Sequence, residues 1–266
     1  MEPCQQDARL RIPHNVTGAT MDNLDFHKFW AEGLTPPPPR PKNTKRNKPM
    51  PTGEIYQPTP HVSCHCCDFR NLPVEPESVT AVVTDIPYKE DWRSNIPAFA
   101  EWCCRVLVPG GTMVTFYGHA CLNECMAALG LPLRYRWLLV SPLCGIAGTH
   151  GQFSPRYQLA LVYSKGDDWR LPRVCEDWIP AGARDKRHHD HQKTIAQMQW
   201  LVEAFSSEGE LVVDNCAGSF TTAEACHITN RRFIGADINP ECLNMARKRF
   251  ARFGSDNSTG SASITT

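Results

Sequence analysis

The sequence predicts an α/β protein with a mostly parallel sheet, on three observations. From His61 to Phe253, short β-branched runs alternate with longer amphipathic ones, the pattern of strands joined by crossover helices. One apolar run, Val79 to Thr84, ends in the turn-forming residues Asp85-Ile86-Pro87-Tyr88. Another, Leu211 to Asp214, leads through a glycine-containing loop into a helix. In an open parallel sheet both features fall at the carboxyl ends of strands, where such folds bind ligands.

Taken in order, Val79 to Thr84 reads as a buried strand and Asn95 to Leu107 as a helix closed by the turn Pro109-Gly110-Gly111. Met113 to Tyr117, Tyr135 to Val140 and Leu159 to Tyr163 are strand candidates, with Ala120 to Leu129 helical between the first two. Thr194 to Phe205 places Ile195, Met198, Leu201, Val202 and Phe205 on one helical face. Leu211 to Asp214 is a strand, Thr222 to Thr229 a helix, Phe233 to Asp237 a strand and Pro240 to Phe253 a helix. The expected organisation is an extension over residues 1–60, a globular domain over 61–253 and a polar tail over 254–266. The extension contains a candidate short helix from Leu24 to Leu34, then Pro36-Pro37-Pro38-Pro39 and the basic run Arg40 to Lys48. Such composition buries too little apolar surface to order itself.

The 28 basic residues balance 28 acidic ones, so no global field announces a polyanionic partner, and local clusters must carry that argument. Thirteen cysteines in a chain of 266 residues with this alternation are read as reduced thiols, not a disulfide framework. With no leader pattern and no long apolar run, the expectation is a soluble cytoplasmic protein with no membrane association.

Asp214-Asn215-Cys216-Ala217-Gly218-Ser219-Phe220-Thr221-Thr222 is the candidate ligand loop. Gly218 lets backbone approach a ligand, and Thr221 with Glu224 has the spacing of a capping box. About twenty residues on, a strand ends in Gly235-Ala236-Asp237, where a carboxylate can accept from both hydroxyls of a ribose. The loop alone equally describes an ordinary crossover, and a Gly-x-Gly-x-x-Gly dinucleotide signature is absent. In the other segment, the Asp85 carboxylate and the Ile86 carbonyl are neighbouring acceptors suited to the two hydrogens of an aromatic amine. Pro87 holds Ile86 extended, and Tyr88 offers a face on which a base can stack.

Together the two segments resemble the β-type S-adenosylmethionine-dependent DNA amino-methyltransferases. In that family an Asp/Asn/Ser-Pro-Pro-Tyr/Phe/Trp tetrapeptide precedes a Val-Leu-Asp-Pro-Phe-x-Gly-Ser-Gly-Thr-Thr loop. The similarity runs from about His61 to Phe253 and includes Arg231 to Glu241, which resembles the segment bearing the ribose-binding acid. The resemblance implies a Rossmann-like class I methyltransferase fold with a seven-stranded sheet, one strand antiparallel, and helices on both faces. It implies S-adenosylmethionine as cofactor and DNA, with its target base flipped out, as partner. Asp85, Ile86, Pro87 and Tyr88 would be catalytic. Asp214, Cys216, Ala217, Gly218, Thr221 and Asp237 would surround the cofactor, joined by Asp85. Cys67-Asp68-Phe69 resembles the segment whose acid meets adenine, so Asp68 and Phe69 are added. His191-Gln192-Lys193 resembles the segment that closes the pocket, which adds Lys193. This sequence departs from the family in carrying Ile86 for the first proline, Cys216 for a phenylalanine and Phe220 for the last glycine of the loop.

Cys64-His65-Cys66-Cys67 lacks zinc-site spacing, so no metal is expected. Nucleic-acid contact is assigned to Arg184, Lys186, Arg187, His188 and His189, with the basic arm a second tether. The expected reaction is methylation of adenine N6 in DNA, because in this family an Asp at the first catalytic position leans toward adenine. Cytosine N4 methylation is the alternative. A different class of reading is a degenerate, non-catalytic nucleic-acid-binding protein whose Phe220 and Cys216 close the cofactor pocket.

Overall fold

The computed structural model describes residues 51–143, 153–180 and 193–254. The expected Leu24–Leu34 helix, the basic proline-rich arm, the Arg184–His189 cluster and the tail from 255 lie outside them.

Eight strands form one sheet: β1 (Ile55–Thr59), β2 (Val62–Cys66), β3 (Val79–Asp85), β4 (Leu107–Tyr117), β5 (Arg134–Pro142), β6 (Tyr157–Ser164), β7 (Leu211–Asp214) and β8 (Arg232–Asp237). Their order is β1-β2-β8-β7-β3-β4-β6-β5. β2, β8, β7, β3 and β4 run parallel, while β6 is antiparallel to β4 and β5 is antiparallel to β6. The expected seven strands with one reversed are therefore β2 through β8, with β6 the reversed one. The eighth, β1, pairs antiparallel with β2 at the edge. It starts at Ile55, ahead of His61. Its half-exposed residues gave no apolar alternation to read.

Five helices longer than one turn cover the sheet: α1 (Ile96–Val106), α2 (Leu122–Leu129), α3 (Ile195–Phe205), α4 (Thr221–Ile228) and α5 (Pro240–Gly254). Alternation along the central strands sends side chains to two separate apolar layers. Ala81, Val83, Val114 and Val212 pack with Leu201, Phe205, Ala223 and Leu243 of α3, α4 and α5. Val82, Met113 and Val213 pack with Phe99, Cys103, Cys125 and Leu129 of α1 and α2. The turn expected after α1 is absorbed into β4, where Gly110 takes a left-handed φ of 78° directly against the Asp168 carbonyl.

One local expectation fails. Thr221 and Glu224 form no capping box: α4 begins after Phe220, and no side chain caps it. Arg249 of α5 captures both residues instead, its guanidinium reaching Glu224 at 2.5 Å, Thr221 Oγ1 at 3.1 Å and the Ser219 carbonyl at 2.9 Å. A buried guanidinium demands several acceptors, and a carboxylate satisfies it better than a helix-end amide would satisfy the carboxylate. The capping box forms at Thr194 and Gln197, ahead of α3.

The Glu224 and Arg249 side chains are 3% and 4% exposed, and Arg252 also pairs with Glu224. Arg249→Met should therefore cost about 3 kcal/mol in urea unfolding, the low end for breaking a buried ion pair because Arg252 retains one oxygen. Adding Glu224→Gln should recover part of that loss.

Candidate active site

The chain runs outward from β3 to β4, passes through β5 and β6, and returns to β7 on the other side of β3. The carboxyl ends of β3 and β7 thus flank the point where strand order reverses, the crevice in which open α/β sheets bind ligands. Asp85 closes β3, Asp214 closes β7 and Asp237 closes β8. Three of the residues singled out from sequence therefore stand on three neighbouring strands.

Asp85 is held from two sides. Its Oδ1 accepts from the Tyr88 hydroxyl at 2.5 Å, and its Oδ2 lies 2.7 Å from the Lys193 ammonium. Lys193 is nearly buried and sits 4.3 Å from the centroid of the Phe116 ring on β4. Sequence reasoning placed Lys193 near the cofactor; the geometry joins it to the tetrapeptide carboxylate. Ile86 is buried at 1% exposure, anchored in the layer under α1, which leaves its main chain to define the turn. The Tyr88 residue is 40% exposed, with its ring edge-on to Tyr117. Burial around the hydroxyl and then the Asp85 carboxylate push its phenol above the usual range, so it stays a donor.

Asp214 is buried, with Oδ1 accepting from the Cys216 amide at 3.2 Å and Oδ2 from the Thr222 hydroxyl at 2.5 Å. Burial dominates over these hydrogen bonds and pushes its carboxyl up to about 7. Asp237 accepts from the Gly218 amide through Oδ2 and from the Asn239 amide through Oδ1, each at 2.9 Å. It ties the loop to the end of β8, and the Cys242 thiol is hydrogen-bonded to the same carboxylate. Burial, followed by the Asp214 and Asp237 carboxylates, holds the Cys216 thiol well above its usual range, so it is a neutral thiol and not a nucleophile.

Gly218 adopts φ 51°, and a Cβ there would meet nothing within 4 Å, so open space lies directly against the loop backbone. Phe220 also adopts a left-handed conformation, φ 56°, which costs a non-glycine residue about 1–2 kcal/mol. Its ring is fully buried, edge-on to Phe233 at 6.5 Å, among the side chains under α4 and α5. The departure from glycine thus fills the core and leaves the space at Gly218 open. Ala217 is buried in the same layer.

Asp68 and Phe69 follow β2. Asp68 accepts from the Arg70 amide and guanidinium, and the Phe69 ring packs against Trp92 and Phe99. Sequence reasoning passed over Asn215, which is 2% exposed with neither carboxamide atom hydrogen-bonded. The signal was present, since Asn215 stands where the family loop carries proline. Among the described residues no cluster of three or more His, Cys, Asp or Glu side chains could hold a metal, and His65 instead meets the Ser63 hydroxyl at 2.8 Å. The eleven described cysteines are free thiols. No described helix is long and apolar enough to cross a membrane.

A family model described as DNA methylase matches residues 170–248, which hold Lys193, the ligand loop and Asp237. The type II methyltransferase M.HpaI of Haemophilus parainfluenzae is 27% identical over 223 residues, covering 68% of this chain and 70% of that protein. Together these matches support an S-adenosylmethionine-dependent DNA amino-methyltransferase. The DNA adenine methyltransferase YhdJ of Escherichia coli K12 is 34% identical over 87 residues, 32% of this chain and 27% of YhdJ. The Thermus thermophilus protein TTHA0409, solved with S-adenosyl-L-methionine, superposes with a TM-score of 0.57 at 22% identity. The match covers 71% of this chain and 93% of TTHA0409, a likeness that carries the fold.

Asp214 makes the stability of the folded chain depend on pH. Its folded pKa lies above its unfolded value, so the folded state binds the extra proton between them, and stability falls as pH rises toward and through about 7. Asp214→Asn should remove a slope of up to roughly 1.4 kcal/mol per pH unit between pH 5 and 7. Thermal melts of both proteins across that range check it, and parallel pH profiles would place the effect elsewhere.

Proposed function

We propose that this methyltransferase acts on the N6 amine of adenine in DNA, with the base flipped out of the stack and Asp85-Ile86-Pro87-Tyr88 as the reaction centre. The reading rests on one observation above all: Asp85, which opens the tetrapeptide, closes β3, and the loop with open space at Gly218 follows β7, the parallel neighbour of β3 at the switch point.

An exocyclic amine conjugated with its ring is a poor nucleophile. The Asp85 carboxylate accepts one of its hydrogens and the Ile86 carbonyl the other, which draws electron density onto nitrogen and turns its lone pair out of conjugation. The main-chain carbonyl is what the second position must supply, and isoleucine has one; its buried side chain fixes the turn that proline fixes elsewhere in the family. Lys193 supplies the counter-charge that orients Asp85, and Tyr88 steadies the carboxylate and presents its ring to the base.

S-adenosylmethionine, when bound, supplies the electrophilic methyl on its sulfonium. The open cradle at Gly218 and the unsatisfied carboxamide of Asn215 suit a ligand that is both polar and charged. Gly218, Ala217, Cys216, Thr221 and Asp214 would form the floor of its site, Asp237 would accept from the ribose hydroxyls, and Asp68 and Phe69 would border the adenine. Asp85 and Ile86 would hold the amine and Tyr88 the base, facing the methyl that the cofactor would supply. Arg184, Lys186, Arg187, His188 and His189 would contact the DNA backbone. The short stretch between Ser164 and Asp190 leaves little room for a separate recognition domain, which predicts short or relaxed sequence preference.

With methyl-labelled S-adenosylmethionine and unmodified DNA, Asp85→Ala should lower transfer about 10³-fold. Ile86→Val should stay within a few-fold of wild type, because only its carbonyl takes part. Mass spectrometry of the digested DNA should find N6-methyladenine. N4-methylcytosine would reassign the base, and transfer unaffected by Asp85→Ala would remove the tetrapeptide from the mechanism.

A further inference from the structure

The rim of the sheet continues beyond the tetrapeptide. β4 ends at Tyr117, whose ring stands edge-on to Tyr88 with centroids 5.4 Å apart. Gly118 follows, and a Cβ placed there would lie 3.5 Å from Cδ2 of Tyr88, so the bare backbone of Gly118 borders that ring. The next residue, His119, is exposed, with Nε2 3.0 Å from the Tyr157 carbonyl oxygen and its ring edge-on to Tyr157, centroids 5.1 Å apart at 82°. Because β6 is antiparallel to β4, its first residue, Tyr157, stands at the same rim as the last residue of β4.

Two edge-on aromatic pairs, Tyr88 with Tyr117 and His119 with Tyr157, therefore flank Gly118 along the chain at the rim where β4 ends and β6 begins. Tyr117 is buried and has a packing role, but His119 and Tyr157 belong to neither apolar layer, and Tyr157 is 43% exposed. Core packing accounts for Tyr117, whereas the pair of His119 and Tyr157 lies outside both apolar layers. The hydrogen bond to a main-chain carbonyl fixes the imidazole against the phenol ring, so the pair is set in place before any ligand arrives.

We propose that His119 and Tyr157, across Gly118 from Tyr88, form a stacking ledge for a second nucleobase of the DNA strand, the neighbour of the target base. The inference rests on the tetrapeptide being the reaction centre. Extruding a nucleotide takes its neighbour's stacking partner away, and an aromatic side chain restores a stacking face whatever the base. One nitrogen of His119 is already committed to the Tyr157 carbonyl, so the ledge offers ring surface more than hydrogen-bond readout, in keeping with relaxed sequence preference.

Fluorescence anisotropy with labelled random-sequence oligonucleotides tests the ledge, using the full chain and His119→Ala, Tyr157→Ala and Tyr157→Phe. Loss of one stacking partner should weaken single-strand binding about 5- to 100-fold in each alanine variant, while Tyr157→Phe, which keeps the ring, stays near wild type. Calorimetric affinity for S-adenosylmethionine and the thermal melting temperature should not move in any of them. Alanine variants that bind DNA as wild type does would overturn the ledge, as would a parallel loss of cofactor binding or folding. A wild-type protein that transfers no methyl group to DNA would instead sink the proposed function, so the two failures are separable.

Discussion

Carboxylates that a parallel sheet carries to its buried end must be satisfied there, and the architecture of this site follows from that constraint. Asp85, Asp214 and Asp237 stand at the ends of three neighbouring strands, and each is answered by a different partner: a lysine and a phenol, a threonine and an amide, two loop amides. Asp214 is the buried one, and leaving a buried polar group unpaired costs about 1–3 kcal/mol, which holds the Thr222 hydroxyl and the Cys216 amide to it. The loop after β7 is shaped by them, with the Cys216 amide turned back to Asp214 and the Gly218 amide turned across to Asp237. The open space against Gly218 is what remains when both obligations are met.

The second half of the loop is held differently. Family members place glycine where this chain has Phe220, and the left-handed backbone there is strained for any residue with a Cβ. Two features offset the strain: a fully buried aromatic ring and the Arg249 fork on Ser219, Thr221 and Glu224. Burying a phenylalanine contributes roughly 1.5–3 kcal/mol, enough to balance a left-handed residue. A substitution that reads as damage to a cofactor pocket is thereby a core substitution, and the degenerate reading loses its main structural support.

Much of the fold was legible because alternation of apolar runs reports sheet and helix directly, and the central strands and α3 to α5 fall close to where that pattern places them. β1 escaped because an edge strand with half-exposed residues has no alternation to report. The capping box escaped for a different reason: Thr221 and Glu224 have the right local spacing, but a guanidinium from a helix 25 residues away in sequence outcompetes the local bond. Asp85, Asp214 and Asp237 were legible from their places after apolar runs. The link from Lys193 to Asp85 was not, because it joins segments more than a hundred residues apart. Asn215 was visible as a letter, but its unsatisfied carboxamide is a property of burial alone.

A calorimetric titration of the purified chain with S-adenosylmethionine tests directly whether the loop with Phe220 and Cys216 binds cofactor. Saturable one-site binding, lost or strongly weakened in Asp237→Ala, is the expected result. An absence of saturable heat at millimolar cofactor would contradict the enzyme reading and return the chain to a nucleic-acid-binding role on a methyltransferase fold.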